Sequence, residues 1–281
     1  MTSAVAIINW NSGHWLRTCI ESLLATTTNT EILVIDNASQ DASLESAQGF
    51  RSRVTFIRNS VNRGFAAAVN QAFQATSSSY ILVLNPDIRA TPGAVQLLED
   101  FMDAHPHVGA TGGYVNEKYL PKKSPTVFSL VRENLGLRKT GLLRPPLMPG
   151  EPIPVDQPAA AALMIRRDAY ENVGPFDEQF YPAWYEDVDF CERLKAQGWE
   201  IYFAPKAEFL HEGGYSAVAL GGNFVCSYYG NQARYARKHF GRVGSALVRA
   251  SIAVGMAGRM IGRPRQAAAY GKALIGALMG W

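Results

Sequence analysis

The sequence predicts an α/β fold in which helices flank a sheet, followed by a helical extension at the carboxyl end. Four strand-length apolar runs recur through the first hundred residues, at Ala4 to Asn9, Glu31 to Asp36, Val54 to Arg58 and Tyr80 to Asn85. Helix-like stretches separate these runs, and this alternation is typical of βαβ units with a parallel sheet. The 281 residues, 47% of them hydrophobic, suffice for one large domain with an appendage.

Each intervening helix has its own signal. Apolar residues repeating every three to four positions predict a first helix from near Ser12-Gly13. A second helix should begin near Asp41, and a third should cover Gly64 to Ala75. A fourth should follow Thr91-Pro92, because threonine is a good N-cap and proline suits the first helical position.

The second half of the chain has a different pattern. Residues 112 to 157 are rich in proline, glycine, lysine and arginine, which predicts a long functional or mobile loop. Regular structure should resume at Ala159 to Ile165, followed by a helix at Glu186 to Gln197 and a strand at Glu200 to Ala204. The first third therefore has the pattern of a nucleotide-binding region, and the middle that of a site for a second substrate.

The amino terminus and the cysteines indicate a cytoplasmic protein. Met1-Thr2-Ser3 leads directly into an apolar strand, without the basic region and cleavage site of a signal peptide. Cys19, Cys191 and Cys226 are scattered and odd in number, which fits a reducing compartment and provides no metal-ligand spacing. We expect all three cysteines to be structural.

The net charge of +3 conceals an asymmetry between body and tail. Residues 213 to 281 contain nine Lys or Arg and no acid, whereas residues 1 to 212 contain eighteen bases and twenty-four acids. A basic tail of this kind favours an anionic surface such as lipid headgroups. The sequence has no zinc-finger spacing or RNA-binding signature, so nucleic acid is not an expected partner.

Asn85-Pro86-Asp87 follows the strand-like run from Tyr80 to Leu84. Because proline lacks an N–H donor, it ends the strand and places Asp87 at the carboxyl edge of the sheet, where open α/β sheets bind ligands. A carboxylate there could hold a divalent cation against phosphate oxygens, and His211 could add a neutral ring nitrogen. Ordinary turn chemistry and a structural histidine are the alternative interpretation.

Two further polar clusters lie at a strand end and at a helix start. Asp36 is placed directly at the exit of the second strand, where its carboxylate could accept a hydrogen bond from a pyrimidine N–H. Asn62-Arg63-Gly64 opens the third helix and could bind a diphosphate through backbone N–H groups and the Arg63 side chain. Asx turns and helix caps remain the alternative for residues in these clusters.

An acidic cluster opens the helix predicted at residues 186 to 197. Glu186, Asp187 and Asp189 fall within one helical turn, directly after Trp184 and Tyr185. The helix dipole favours acids at this position. Three acids beside an aromatic pair exceed what capping requires, and they indicate a group that accepts a proton from a hydroxyl.

In chain order, these motifs resemble the family 2 inverting glycosyltransferases of the GT-A fold, most closely their rhamnosyltransferase-like bacterial members. The resemblance spans roughly residues 4 to 216. The matching stretches are Ile7 to Ser12, Val34 to Asp41, Asn62 to Asn70, Leu84 to Asp87, Gly174 to Glu178, Glu186 to Phe190 and His211. Each motif is weak alone, but seven in family order are hard to obtain by chance.

The resemblance implies a Rossmann-like mixed sheet in a GT-A catalytic domain at residues 1–216. Its nucleotide-sugar-binding half would be 1–111, its acceptor-binding half 112–216, and 217–281 would be a basic helical extension. Asp187 matches the catalytic base, and Asp87 and His211 match contacts to Mg²⁺ or Mn²⁺. The implied donor-binding residues, among which Asp36 reads the base, are Asn9, Asp36, Asn37, Asn62, Arg63, Gly64, Asn70, Asn85 and Asp87. The implied acceptor-binding residues are Trp184, Tyr185 and Glu186.

Asn85 departs from the family pattern. Many relatives have the first aspartate of a DxD motif here, and asparagine brings no charge, so metal affinity would be weaker. Rhamnosyltransferase-like members commonly have Asn-Pro-Asp, which implies a rhamnosyl donor such as dTDP-rhamnose. The implied reaction moves a sugar from a dTDP- or UDP-sugar to a hydroxyl of a glycan or polyprenyl-linked acceptor, with inversion, in cell-surface polysaccharide synthesis.

The basic tail indicates how a lipid-linked acceptor is reached. Four arginines lie on one side of a helical wheel, namely Arg242, Arg249, Arg259 and Arg263. Pro264 should end this helix before a second amphipathic segment from Lys272 to Trp281. No apolar stretch of the sequence is long enough to span a bilayer. We expect a peripheral, interfacial helix at the inner face of the cell membrane, and the alternative is a helical hairpin that packs on the body or forms a homodimer.

Two other functional classes remain open. One is a nucleotide-sugar-binding module without transfer activity, in which Asn85 marks a lost metal site. The other is a nucleotidyltransferase, which normally has a Gly-rich basic loop after its first strand, whereas Asn9-Trp10-Asn11-Ser12-Gly13 contains no basic residue. Release of UDP or dTDP from a donor in the presence of Mn²⁺ would distinguish an enzyme from a binding module.

Overall fold

The computed structural model describes residues 2–137, 150–211 and 224–281. Within these ranges the strands are β1 (Ser3–Asn9), β2 (Glu31–Asp36), β3 (Thr55–Arg58), β4 (Tyr80–Leu84), β5 (Ile88–Ala90), β6 (Val108–Tyr114), β7 (Ile153–Pro154), β8 (Ala162–Arg166) and β9 (Glu200–His211). The α-helices are α1 (Trp15–Thr26), α2 (Ser43–Ser46), α3 (Phe65–Ala75), α4 (Ala94–Ala104), α5 (Val127–Asn134), α6 (Arg167–Val173), α7 (Glu186–Ala196), α8 (Phe224–His239), α9 (Gly241–Gly262) and α10 (Ala267–Met279). The domain boundary predicted at residue 216 lies outside the described residues.

One mixed sheet forms the centre of the fold. Its strand order is β3-β2-β1-β4-β8-β6-β9-β5, with β7 paired to β9. The first four strands are parallel, and β8 runs antiparallel to both of its neighbours. Every residue of β1 and β4 is buried, as expected of strands covered on both faces. The predicted α/β class with a helix-flanked sheet is confirmed.

Alternate residues of the central strands pack into two cores on opposite faces of the sheet. Val5 and Ile7 of β1 pack with residues of α1 and α4, whereas Ala6 and Ile8 pack with residues of α3 and α7. This division follows from the two-residue period of a strand. Helices on both faces leave the carboxyl ends of β1, β2 and β4 free to form a binding edge.

The carboxyl-terminal helices form a core of their own together with α5. It contains Leu130 of α5, Val248 and Ile252 of α9, and Ala273 of α10. Helix α9 ends before Pro264, as the proline predicts. Among the described helices, none combines the length and apolarity that crossing a bilayer requires.

The segment expected to be an irregular loop, residues 112 to 157, is partly regular. β6 extends to Tyr114, and a capping box formed by Thr126 and Ser129 begins α5. Gly255 of α9 approaches this helix so closely that a Cβ on it would overlap the carbonyl group of Asn134. The loop prediction was wrong at α5, because packing on a helix more than a hundred residues away stabilises an eight-residue helix that is marginal alone.

The arginines of α9 do not form one basic face. Arg249 donates through Nη2 to the carbonyl oxygen of Ala277 at 2.9 Å, and Arg259 donates through Nη1 to that of Asn134 at 2.7 Å. Both therefore satisfy carbonyl groups at the ends of neighbouring helices. The prediction of a single basic face was wrong for these two residues, since packing of α9 against α5 and α10 turns them inward.

Candidate active site

A cleft of about 410 Å³ opens at the carboxyl edge of β1, β2 and β4. Its walls also include residues from the loop before α5, from the segment before β8, from the turn before α7 and from α8. The predicted site residues in its lining are Asn37, Asn62, Asn85, Asp87, Trp184, Glu186 and Asp187. Residues predicted from separate parts of the sequence therefore share one space.

Strand pairing brings Asp87 and His211 together. β5 runs antiparallel to β9 with Ile88 opposite His211. This register places His211 Nε2 3.3 Å from Asp87 Oδ2, with both side chains buried. Tyr119 Oη lies 3.3 Å from the same imidazole nitrogen. The two residues singled out as metal ligands are thus in contact.

Asp87 retains an acceptor that suits a cation. Its Oδ1 atom is buried and has no hydrogen-bond partner among the described residues, which is costly for a carboxylate unless something binds it. Mg²⁺ and Mn²⁺ prefer carboxylate oxygen, and imidazole can add a nitrogen ligand. No group of three His, Cys, Asp or Glu side chains within the described ranges could hold a metal. Oxygens of a bound diphosphate could complete the coordination of a cation held by these two residues.

The cleft-lining asparagines Asn37 and Asn62 also organise the loop before α3. Asn37 Nδ2 donates to the carbonyl oxygen of Gly64 at 3.1 Å, and its Oδ1 accepts from Asn59 Nδ2 at 2.9 Å. Asn62 Oδ1 accepts from the backbone N–H of Gly64 at 2.8 Å, which closes an Asx turn. These bonds hold the end of β2 against the start of α3.

Gly64 joins the α3 side of the cleft to the turn before α7. Its φ is +85°, and a Cβ there would lie 2.9 Å from Tyr181 Cδ2 and 3.1 Å from the carbonyl oxygen of Pro182. The N–H of Phe65 donates to the same oxygen at 2.7 Å. Both the backbone conformation and the close approach require glycine here.

Asn9 and Asp36 form a buried network that does not belong to the cleft lining. Asn9 Nδ2 donates to Asp36 Oδ1 at 2.7 Å, and the N–H of Ser39 donates to Asp36 Oδ2 at 3.2 Å. Both oxygens of Asp36 already have internal partners. Reading of a nucleotide base by Asp36 stays a prediction, and it would use a remaining lone pair of the carboxylate.

Asn70 and Arg63 contact the segment at residues 174 to 178. Asn70 is buried, its Nδ2 donates to the carbonyl oxygen of Phe176 at 2.9 Å, and its Oδ1 accepts from the N–H of Phe176 at 2.9 Å. Arg63 Nη2 lies 3.8 Å from Glu178 Oε2. These bonds position the segment, neither residue lines the cleft, and the donor contacts expected of them stay predictions.

Two consecutive aromatic residues with left-handed backbone precede α7. The φ angles are +76° at Trp184 and +73° at Tyr185. Such angles cost about 1–2 kcal/mol for a residue with a side chain, and strain of this kind concentrates at functional sites. The turn places Glu186 and Asp187 in the first turn of α7 and in the cleft lining.

These two carboxyl groups lie in surroundings that favour protonation. Burial raises the pKa of Asp187, against the opposing effects of the Val188 N–H and of Lys122. Burial and the neighbouring charge of Asp187 raise the pKa of Glu186 well above its ordinary value. Glu186 Oε2 is buried and unpartnered among the described residues. A carboxyl with a raised pKa is suited to take a proton from a hydroxyl.

The carboxyl-terminal helix α8 completes the site. Tyr185 is buried, and its hydroxyl accepts a hydrogen bond from Gln232 Nε2 at 2.9 Å. Asn231 Nδ2 donates to the carbonyl oxygen of Ala183 at 2.8 Å. Tyr228 of the same helix lines the cleft, whereas Tyr185 does not. The predicted acceptor residue Tyr185 therefore anchors the turn to α8.

Some lining residues were missed by the sequence interpretation: Trp10, Phe65, Tyr119, Lys122, Gln157 and Tyr228. Lys122 had a usable signal, since it belongs to the basic, proline-rich segment expected to contact a second substrate. Tyr228 had none, because it lies in α8, outside every motif.

The mixed sheet, the cleft at its carboxyl edge and the carboxylates at two turns fit the GT-A fold of glycosyltransferases. Residues 4–174 match the family described as Glycosyl transferase family 2. Because this match covers more than half of the chain, the protein belongs to that family. Family membership favours neither the binding module nor the nucleotidyltransferase.

Two relatives and one solved structure are similar to this chain. N-acetylglucosaminyl-diphospho-decaprenol L-rhamnosyltransferase of Mycobacterium tuberculosis is 27% identical in an alignment 240 residues long that covers 75% of this chain and 76% of that protein. Rhamnosyltransferase WbbL of Escherichia coli is 23% identical in an alignment 222 residues long that covers 74% of this chain and 83% of that protein. Mannosyltransferase PcManGT of Pyrobaculum calidifontis, in complex with GDP-Man and Mn²⁺, superposes with a TM-score of 0.61 over 98% of this chain and 86% of its own, at 13% identity. At that identity the likeness concerns the fold alone.

Proposed function

We propose that the protein transfers a sugar from a nucleotide-diphosphate sugar to a hydroxyl of a glycan or polyprenyl-linked acceptor, with inversion at the anomeric carbon. One observation carries the proposal: Asp187, a carboxyl with a raised pKa, and Asp87, with an unpartnered oxygen, line the same cleft. The first is suited to accept a proton and the second to hold a cation beside a diphosphate. In a single in-line displacement, Asp187 would act on the attacking hydroxyl and Asp87 would hold the cation beside the leaving diphosphate.

Rhamnose is the best candidate for the transferred sugar, with dTDP-rhamnose as donor. Both similar relatives are named rhamnosyltransferases, one of them acting on a diphospho-decaprenol acceptor by its name. Asn85-Pro86-Asp87, the pattern that resembles this subgroup, supports the same donor. A UDP-sugar is the alternative.

In the proposed reaction, Asp187 accepts the proton of the acceptor hydroxyl while the acceptor oxygen attacks the anomeric carbon. The attack comes from the face opposite the leaving diphosphate, so the configuration inverts. Glu186 Oε2 faces no internal partner among the described residues, which leaves it able to bind an acceptor hydroxyl. Trp184 lines the same wall and offers an aromatic surface for a sugar ring.

Asp87 and His211 are the residues that would hold Mg²⁺ or Mn²⁺. When bound, the ion neutralises charge on the leaving nucleoside diphosphate. Asn85 beside them can donate a hydrogen bond but adds no charge. We therefore expect the cation to bind together with the donor more tightly than alone.

We also propose peripheral contact with the inner face of the cell membrane, through an exposed apolar row on α9. The row consists of Val243, Leu247, Val254 and Ile261, which are 53–86% exposed. Spacings of four and seven residues place these side chains on one face of the helix. Exposed arginines lie at both ends of α9, namely Arg242, Arg263 and Arg265, and an exposed apolar face accompanied by basic residues and no acids is typical of interfacial helices. This row takes the place of the basic face predicted from the sequence.

Asp187→Asn tests the assignment of the base. Turnover, measured as dTDP release from dTDP-rhamnose in the presence of Mn²⁺ and acceptor, should fall roughly 10²- to 10⁴-fold, while donor affinity is retained. Asp168→Asn is a matched control, because Asp168 is an exposed acid in the first turn of α6. Near-wild-type turnover in Asp187→Asn would show that another group is the base.

Failure of the wild-type protein to turn over any dTDP- or UDP-sugar, with donor binding intact, would instead count against transfer activity. A thermal-shift panel of nucleotide-sugars with and without Mn²⁺ identifies the donor first, because a ligand that binds the folded state stabilises it by mass action.

A further inference from the structure

We infer that the carboxyl-terminal helices contain a second binding site, specific for a phosphate group. A small cavity lies between α8, α9 and the last residues of the chain, and Arg234, Arg237 and Arg249 line it together with Ser245. Its volume is about 40 Å³, room for roughly three waters at 10–15 Å³ each. That space suits one tetrahedral oxyanion and is too small for a nucleotide.

The side chains that line the cavity include three arginines and no acid, and residues 213 to 281 contain no Asp or Glu side chain. The α-carboxylate of Trp281, which also lines the cavity, supplies at most one negative charge, so the positive charges of the arginines predominate. Asp177, the acid that acts on Arg234, is already paired with Lys238 at 2.7 Å. The charge of Arg237 acts unfavourably on Arg234, and an anion bound between these two residues would offset that repulsion. The planar fork of arginine matches phosphate oxygens in particular.

Arg234 has a donor that needs an acceptor. Its Nη1 donates to Asn231 Oδ1 at 2.7 Å, but its Nε is buried and has no partner among the described residues. A buried donor left in this state is destabilising, because it has lost its hydrogen bond to water and gained none in return. Burial and the charge of Arg237 also lower the pKa of Arg234. A bound oxyanion would satisfy the donor and offset the repulsion.

The cavity is separate from the active-site cleft. Gly230, Arg234 and Arg237 face it from α8, at helical spacings of four and three residues. Tyr228, which lines the cleft, lies on the opposite face of the same helix at 100° per residue. A phosphate in the cavity would therefore be distinct from the diphosphate of the donor, and the inference does not rest on the proposed function.

Isothermal titration of inorganic phosphate into the full chain tests the site. The titration omits divalent metal, and chloride at matched ionic strength serves as the reference. Arg237→Gln should weaken phosphate binding at least roughly tenfold, the loss expected when one charge-assisted contact is removed. Arg237 is exposed and has no ion pair among the described residues, so the variant should fold, and an unchanged melting temperature without phosphate checks this.

Arg242→Gln is the matched control, because Arg242 is an exposed arginine of α9 outside the cavity lining. It should bind phosphate as the wild type does. Equal phosphate affinity in Arg237→Gln would place the bound phosphate elsewhere, for example in the cleft, and would overturn the inference. An equal response to chloride would overturn it as well.

Vesicles identify the source of the phosphate group. A lipid headgroup would be supported if the protein floats with phosphatidic acid vesicles but not with phosphatidylcholine vesicles. Inorganic phosphate should then reverse this flotation, and Arg237→Gln should lose it. Phosphate binding that depends on Arg237, combined with equal flotation of wild type and variant, would support free phosphate as the ligand.

Discussion

Asp189 joins α7 to the carboxyl-terminal helices, and the cost of replacing it by asparagine can be worked from the structure. Its carboxylate is completely buried and lies 2.8 Å from His239 Nε2, 2.8 Å from Lys238 Nζ and 3.0 Å from Arg193 Nε. Two of these partners belong to α8, so the carboxylate is the main ionic link between the acidic turn and the extension. Asp189→Asn removes the charge and keeps the shape.

The magnitude follows from the pKa of Asp189. Burial alone would raise this pKa, but hydrogen bonds from His239 and Lys238 and the charge of Arg193 lower it from 3.8 to about 2. At roughly 1.4 kcal/mol per pKa unit, the shift corresponds to about 2.5 kcal/mol of stabilisation, and screening around the partly exposed Lys238 reduces this to about 2 kcal/mol. Because the folded-state pKa is below the unfolded-state value, the stabilisation is complete above about pH 4 and is lost as pH falls towards 2.

Urea unfolding of wild type and Asp189→Asn at several pH values measures this difference. We expect the variant to be less stable by about 2 kcal/mol at pH 7, and the two free energies of unfolding to converge as pH falls from 4 to 2. Asp168→Asn, which removes an exposed acid from the first turn of α6, should cost less, about 0.3–1 kcal/mol at pH 7 from the helix dipole. A gap that stays constant down to pH 2, or no gap at pH 7, would refute the assignment of the link to this carboxylate.

Three further substitutions have definite expected outcomes. Glu186→Gln should raise the urea midpoint at pH 7. The pKa of Glu186 is raised in the folded state, so its ionisation destabilises the fold at pH values above the unfolded-state pKa, and glutamine does not ionise. A lowered midpoint would contradict this. Gly64→Ala should destabilise the fold by at least about 1–2 kcal/mol, since φ is +85° and the new Cβ would lie 2.9 Å from Tyr181 Cδ2. Urea unfolding curves identical to those of wild type would show that the turn adjusts. Leu247→Glu should abolish flotation with anionic vesicles and leave turnover on a soluble acceptor unchanged. If light scattering instead shows that the variant converts a dimer to a monomer, the exposed apolar row on α9 is a contact between two copies of the protein.

The elements of the parallel half could be predicted because their signals are local. An unbroken apolar run from Tyr80 to Leu84 predicts a strand buried on both faces, and Pro86 ends it whatever the rest of the chain does. The helix break before Pro264 has the same origin. The loop prediction for residues 112 to 157 failed at α5, because the stability of that helix comes from packing on α9.

The candidate site was predictable in composition and much less so in arrangement. Asp36 and Asn37 are neighbours in the sequence, yet Asn37 lines the cleft and Asp36 does not, since successive residues at a strand end point to different surroundings. A pattern of residue types cannot distinguish the two. Only the network around Asp36 shows that its oxygens already have partners.

By itself, the sequence determined the fold class, the position of Asp87 at a strand end and the acidic start of α7, because each depends on residues close together in the chain. The tertiary structure alone decided that His211 contacts Asp87, through the pairing of β5 with β9, and that Tyr228 completes the cleft. The packing of α9 against its neighbours also turned Arg249 and Arg259 inward. Because α9 lies against α8, Arg249 shares one cavity with Arg234 and Arg237. Contacts between distant segments depend on how elements pack and pair, and that packing balances burial, hydrogen bonding and charge across the whole chain.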